Sequence, residues 1–220
     1  MTMAIKVLNM GIVASPIGGG ALTREELDEL IDAGADISGA NVSEIEDFSE
    51  LLKSKYSNTF NQDISGWDVS AATDMSEMFR GQASFNQNIG SWDVSNVTDM
   101  ALMFRSAADF NQDIGDWDVS KVASMKEMFK GANDFNQDIS DWDFDDVTSA
   151  TTGFNGFMNG KTGGSVMSTA NYNALLVQIE ATNEETNLVF DGGGAIPTGA
   201  GDTARAALIT RGWTITDGDS

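Results

Sequence analysis

The sequence contains no cysteine and no histidine. Disulfides, thiolate nucleophiles and Ser-His-Asp triads are therefore excluded, and so are ordinary zinc sites, which need thiolate or imidazole ligands. Positive charge is scarce as well, because 12 Lys and Arg stand against 34 Asp and Glu, a formal net charge of −22. Such a chain repels phosphate backbones and anionic lipid headgroups, so nucleic acid is not an expected partner.

Long hydrophobic runs are also missing. No stretch approaches the roughly 18 apolar residues that a membrane-spanning helix needs, so no membrane insertion is expected. The first twenty residues carry one lysine and an apolar run broken by Asn9, Met10 and Gly11, which makes a poor secretory signal. With 220 residues, 41% of them hydrophobic, the chain is expected to fold around a sizeable core.

A 25-residue repeat is the main feature of the sequence. The motif FNQDISGWDVS begins at Phe60, and close copies begin at Phe85, Phe110 and Phe135, each 25 residues after the last. Self-similarity at such a period is typical of solenoids, in which a unit that cannot bury its own apolar side stacks on its neighbours.

Each unit has two halves with different apolar spacing. The first half carries an I-x-x-W-x-V run, beginning at Ile64 in the first unit, which matches the strand of a leucine-rich repeat. The second half carries an M-x-x-M-F run, beginning at Met75, whose spacing indicates one face of a short helix. The predicted fold class is α/β, a leucine-rich-repeat-like solenoid of about five 25-residue strand-plus-short-helix rungs with N- and C-terminal caps. Columns of Trp, Met and Phe are expected to fill its core.

The repeats fade at both ends of the array. Residues 37–42 repeat the strand motif with Ala40 in place of tryptophan, and Thr23 and Glu26 form a capping box that opens a helix. Three segments are expected: residues 1–36 as an N-terminal segment and cap helix, residues 37–159 as the repeat solenoid, and residues 160–220 as a C-terminal cap. Residues 1–21 are expected to lie as an extended strand along the cap or to dock on a neighbouring subunit.

The unit FNQDIS-WDVS-VT-M--MF-GA resembles the BspA-type, leucine-rich-repeat-like surface proteins, which are widespread in bacteria and also seen in phage-encoded proteins. The resemblance is close from Phe60 to about Phe154, weaker back to Ile37, and includes the ending FDGGG followed by ARAALITRGWTITDG. It implies a solenoid used in adhesion, protein binding or surface display. Members of that family usually begin with a secretion signal or lipid anchor, and the front of this chain is typical of neither.

One aspartate follows the tryptophan in every unit. The candidate binding residues are these outward strand positions, Asp68, Asp93, Asp118 and Asp143, with Asp116 and Asp141 beside them. Stacking in register brings like charges together, and the repulsion is relieved by backbone amides bonded to each carboxylate, by calcium bridging the rungs, or by a basic partner surface. All three alternatives stay open, so calcium is a candidate cofactor and no other is expected.

The function expected from these features is non-enzymatic. The acidic positions recur equally in every unit, whereas catalysis needs one site whose environment pushes two pKa values apart. The chain is expected to be a surface-displayed binding or structural module, first a phage virion surface component (a decoration or fibre-associated protein), with a bacterial surface adhesin for host protein or glycan as the alternative. Its expected partners are another protein, neighbouring subunits or a glycan, at the exterior of a virus particle or at a cell surface.

Overall fold

The computed structural model describes residues 20–160 and 166–218. The strand or docking segment expected at residues 1–21 thus lies outside the described residues, apart from its last two positions. The regular elements of the described part are α1 (Arg24–Asp32), a short 3-10 helix (Tyr56–Asn58), α2 (Thr169–Thr182), β1 (Val189–Asp191), α3 (Ala200–Thr210) and β2 (Thr214–Thr216).

The N-terminal helix α1 forms where its capping box predicts it. Glu26 N donates to Thr23 Oγ1 at 3.2 Å, and Thr23 N donates to Glu26 Oε2 at 2.9 Å, so both bonds of the box are present. Leu27, Leu30 and Ile31 are buried on one face of the helix and join the same core cluster as the repeats. The helix therefore covers apolar surface at the start of the array.

Between α1 and α2 the described backbone runs as coil and turns apart from the short 3-10 helix, and successive units are joined by a parallel hydrogen-bonded ladder. Single parallel bridges pair Asp47 with Asp74, Asp74 with Asp99, and Asp99 with Ser124. Backbone bonds between units extend from these points, as from Phe48 N to Asp74 O at 2.8 Å. Each unit thereby fixes the register of the next.

The secondary structure inside each unit differs from the prediction. The run that begins at Ile64, predicted to be a strand, lies in coil and turns, and the run that begins at Met75, predicted to be a helix, forms turns of the ladder. The physical reason is a left-handed residue in the second run, Glu77 at φ 59°, which interrupts helical geometry. Met78 and Phe79 are nevertheless fully buried, so a turn buries the apolar residues of this run as a helix would.

Left-handed residues recur at two fixed positions of the units. The first column is Glu50, Glu77, Leu102 and Glu127, and the second, four positions further on, is Ser54, Gly81, Ser106 and Gly131. A left-handed backbone costs side-chain-bearing residues about 1–2 kcal/mol. The conformation is held because the ladder bonds the backbone on either side of these positions.

Aromatic side chains form columns along the stack. Phe60, Phe85, Phe110 and Phe135 follow one another with ring centroids 5.9–6.0 Å apart. Each repeat tryptophan also donates its indole N–H to an isoleucine carbonyl of the preceding unit, at 3.0–3.3 Å: Trp67 to Ile37, Trp92 to Ile64, Trp117 to Ile89 and Trp142 to Ile114. The indole thus contributes both apolar area and a directional bond between units.

The C-terminal strands prolong the ladder. Met158 N donates to Asp191 O at 3.1 Å, which joins the last repeat to β1. Strand β1 then pairs in parallel with β2, with Phe190 opposite Ile215. The rows of the ladder accordingly run from the first repeat to β2.

Helix α2 closes the other side of the last unit. Asn183, at its C-terminus, donates from Nδ2 to Phe144 O at 2.8 Å and to Val147 O at 3.0 Å. Gln178 Nε2 donates to Trp142 O at 2.9 Å. These amide bonds join the last unit to α2.

The buried apolar residues form one cluster from Leu22 to Ile215. From this single core, the ladder and the aromatic columns, we infer a leucine-rich-repeat-like solenoid between two caps, and the division at residues 36/37 and 159/160 stays a prediction. Among the residues described, no helix is both long and apolar enough to cross a bilayer.

Candidate functional site

The aspartates predicted as binding residues line up on successive units. The acidic column consists of Asp68, Asp93, Asp118 and Asp143, all of them exposed. Each Oδ1 accepts a bond from the backbone N–H two residues further on, at 3.0–3.1 Å. The aspartates lie in coil, two residues before a turn, rather than on the predicted strand face.

Serine hydroxyls reinforce two of these turns. Ser70 Oγ donates to Asp68 Oδ1 and Ser120 Oγ donates to Asp118 Oδ1, both at 2.7 Å. Hydrogen bonds from these serines hold the pKa values of Asp68 and Asp118 below the usual value. The column is therefore fully ionised at neutral pH at these positions.

The members of the column are close enough to repel one another. Hydrogen bonds from Ser95 lower the pKa of Asp93, whereas the charges of Asp118 and Asp68 act in the opposite direction. Of the three ways to relieve this repulsion, the structure contains the bonded backbone amides. In the described ranges, no three acidic side chains form a group that could hold a metal ion, and the calcium alternative stays a prediction.

Two further columns of the same kind were missed by the sequence reasoning. One consists of Asp63, Asn88, Asp113 and Asp138, whose Oδ1 atoms accept backbone N–H groups at 3.0–3.1 Å. The other consists of Asp47, Asp74 and Asp99 in the ladder, which accept backbone N–H groups at 2.8 Å. Their sequence signal was an Asp or Asn at a fixed repeat position, two residues before the backbone N–H that donates to it. Asp116 and Asp141 are exposed next to the acidic column.

Basic side chains of the repeats are concentrated elsewhere, about half a unit away along the chain. Glu77 pairs with Lys53 and with Arg80, both at 2.5 Å. Glu127 pairs in the same way with Arg105 at 2.6 Å and with Lys130 at 3.2 Å. These cations pair with carboxylates away from the acidic column, whereas the charge of Lys121 acts on Asp118 and lowers its pKa.

A buried polar cluster fastens the C-terminal cap. Arg205 Nε donates to Asp217 Oδ2 at 2.7 Å, and Tyr172 Oη donates to the same oxygen at 3.0 Å. Burial, together with the Asp217 charge, raises the pKa of Tyr172 far above its usual value. The three side chains tie α2, α3 and the end of β2 to one another, which is a structural use.

The tryptophans offer no sugar platform. Trp67, Trp92, Trp117 and Trp142 are at most 4% exposed, so their ring faces are covered by the core. Stacking on a glycan through these indoles is thereby excluded. A glycan partner would need other surface groups.

Comparison with known proteins places the chain in a family. The model of DUF285, described as "Mycoplasma protein of unknown function", matches residues 28–107 and 46–163, which overlap and together span more than half of the 220 residues. A BspA-type repeat is compatible with this match. No curated protein and no solved structure matched. The chain therefore belongs to the DUF285 family.

Proposed function

We propose that this protein is a non-enzymatic scaffold that displays the acidic column to a basic protein surface. The observation that supports this proposal is the order of the column: exposed carboxylates recur at one position of successive units, and each is fixed by a bond to its own turn. The proposal assigns no catalytic residue.

The fixed carboxylates favour binding for two physical reasons. Immobilising a side chain at an interface costs about 0.5–1.5 kcal/mol, and much of that cost has already been met in folding. A net charge of −22 also steers a basic partner toward the surface and speeds association at low salt. The partner expected here carries Lys or Arg side chains at a spacing that matches the stacked units.

A pair of charge-matched variants tests the proposal. Replacing Asp68, Asp93 and Asp118 by Asn removes three charges from the acidic column but keeps an acceptor for each turn, as Asn88 Oδ1 already does for Gly90 N at 3.1 Å. Binding of a fluorescent oligolysine peptide should weaken by about tenfold, or ~1.4 kcal/mol.

The matched control replaces Asp63, Asp113 and Asp138 by Asn, which removes the same charge from the neighbouring column. It should weaken oligolysine binding clearly less than the first variant does. Equal losses for both variants would mean that only net charge matters, and the acidic column would then be no specific site.

Two settings are proposed for this function. One is the surface of a virus particle, as a decoration or fibre-associated protein. The second is a bacterial surface adhesin, which the description of the family as Mycoplasma protein favours. Stoichiometric incorporation into purified particles supports the first setting, whereas co-fractionation with the cell envelope supports the second.

A further inference from the structure

The end of the repeat array contains two asparagine–glycine pairs. Asn155–Gly156 and Asn159–Gly160 are the only such pairs in the sequence. A glycine after asparagine has no Cβ, so its backbone nitrogen can approach the side-chain amide carbon of the asparagine and displace ammonia from it. Both glycines have a left-handed backbone, Gly156 at φ 67° and Gly160 at φ 72°. Residue type and glycine conformation therefore do not distinguish the two pairs.

Burial does distinguish them. Gly156 is buried and Asn155 is half-buried, whereas Asn159 and Gly160 are both exposed. A Cβ built on Gly156 would lie 3.0 Å from Glu127 Cγ. For Gly160 the nearest described atom beyond its chain neighbours is Lys130 Cγ, at 3.9 Å. The Glu127 side chain thus covers the first pair, and water has access to the second.

The second pair also lies at a structural junction. Gly131 N donates to Asn159 O at 3.0 Å, which among the described residues is the last acceptor of its row. One residue earlier, Met158 N donates to Asp191 O at 3.1 Å and joins the repeats to β1. A change of the backbone at residue 159 therefore falls where the repeat array meets the C-terminal cap.

We propose that Asn159 is a site of spontaneous deamidation and isomerisation, and that the fold protects Asn155 from the same reaction. Gly160 N bonds to Asn159 Cγ, the Cγ–Nδ2 bond breaks, and the amide nitrogen leaves as ammonia with the proton of Gly160 N. Water then opens the resulting succinimide. Attack at Cγ gives an aspartate, and attack at the main-chain carbonyl gives an isoaspartate. This site is separate from the acidic column.

Each product changes the junction in its own way. Both add one negative charge. The isoaspartate also lengthens the main chain before Gly160 by one carbon, because the chain then runs through Cβ and Cγ. The former carbonyl of Asn159, which accepts from Gly131 N, becomes part of a free carboxylate. Hydrogen exchange of the Gly131 amide should therefore become faster in the isoaspartate form.

The test follows the two asparagines in the full chain. Incubation at mildly alkaline pH promotes loss of the Gly160 N proton, and peptide mass spectrometry locates each product. In the folded chain Asn155 should react at least about tenfold more slowly than Asn159, because reaction there requires local opening of the row. In urea the two rates should be similar. Equal rates in the folded chain, or an Asn159 that stays intact while the unfolded chain reacts, overturn the proposal.

Two matched variants assign the reaction to its residue. Asn159→Gln keeps a side-chain amide, but its extra methylene requires a larger ring, so the more acidic species seen in anion exchange should nearly cease to form. Asn155→Gln should leave the rate at Asn159 unchanged. If Asn159→Gln still forms the acidic species at the wild-type rate, the reaction takes place elsewhere and the proposal is wrong.

Discussion

Asp93 and Asp99 lie in the same repeat unit but have opposite pKa shifts. Hydrogen bonds from Ser95 lower the pKa of Asp93 at the surface, whereas burial raises the pKa of Asp99 inside the ladder. A lowered pKa stabilises the fold above the unfolded value of about 3.9, and this stability is lost as the pH falls. A raised pKa stabilises only in acid, and this stability is lost as the pH rises through the folded pKa.

Replacing Asp99 by Asn should therefore stabilise the protein at neutral pH. The amide keeps an acceptor for Ala101 N, now 2.8 Å from the carboxylate, and it removes a charge next to Asp74. We expect the free energy of unfolding to rise by an amount on the order of 0.5 kcal/mol at pH 7. The gain should shrink toward zero at pH 3, where the Asp99 carboxylate of the wild type is protonated in the folded state. Urea unfolding at the two pH values measures it.

Asp93→Asn serves as the comparison, because the pKa of Asp93 is shifted in the direction opposite to that of Asp99. It should lower the free energy of unfolding at pH 7 and have little effect at pH 3. Equal signs for the two variants at pH 7 would contradict the assignment of burial as the cause at Asp99.

Sequence reasoning located the acidic column because the repeat places Asp68, Asp93, Asp118 and Asp143 at one position. It did not decide how the repulsion between these carboxylates is relieved, because only the structure shows that the backbone N–H two residues further on donates to each of them. It did not identify the bonds from Arg24 to Asp47 O and Ser49 O, because these carbonyls lie 23 and 25 residues away in sequence and carry no side-chain signature.

At the scale of elements, the C-terminal cap depends on a buried amide. Asn183 is fully buried, and its Nδ2 bonds two carbonyls of the last unit. Asn183→Leu should cost about 2–4 kcal/mol, because Val147 O loses its donor, Glu185 N loses its acceptor, and Phe144 O keeps only the bond from Val147 N. Chemical denaturation measures the loss, and hydrogen exchange should rise first in residues 169–191.

Gln178→Ala is the milder control for that helix. It removes one part-buried bond, to Trp142 O, and should cost about 1 kcal/mol. A cap that exchanges as slowly in Asn183→Leu as in the wild type would show that the amide does not fasten it.

Helix α1 could be predicted from sequence, whereas the backbone conformation inside the repeat could not. A capping box at Thr23 and Glu26 marks α1 directly. Inside the repeat, a glutamate at φ 59° carries no signal, because only Gly and, less often, Asn indicate a left-handed backbone. The M-x-x-M-F spacing therefore fitted a helix equally well, although Glu77 lies in a turn.

At the scale of the whole molecule, the solenoid proposal predicts that one unit can be removed cleanly. Deleting residues 85–109 joins Ser84 to Phe110, which occupies the place of Phe85, so every remaining unit keeps a matching neighbour. The variant should fold cooperatively with a near-native circular dichroism spectrum and a lower midpoint in urea, because stability in such arrays adds over units and interfaces.

Deleting residues 85–96, about half a unit, is the matched control. This deletion brings the aromatic side chains of one unit opposite the ladder residues of the next, so it should prevent cooperative unfolding. If the two deletions behave alike, the units do not stack as interchangeable modules.

The indole hydrogen bonds all join a unit to the unit that precedes it in the sequence. Every repeat tryptophan donates to a carbonyl made earlier in synthesis, so when Trp92 leaves the ribosome its acceptor at Ile64 is already in place. Domains that fold during translation do so from the N-terminus onward. Each unit of the nascent chain can therefore pack on the preceding unit while the C-terminal residues are still being translated.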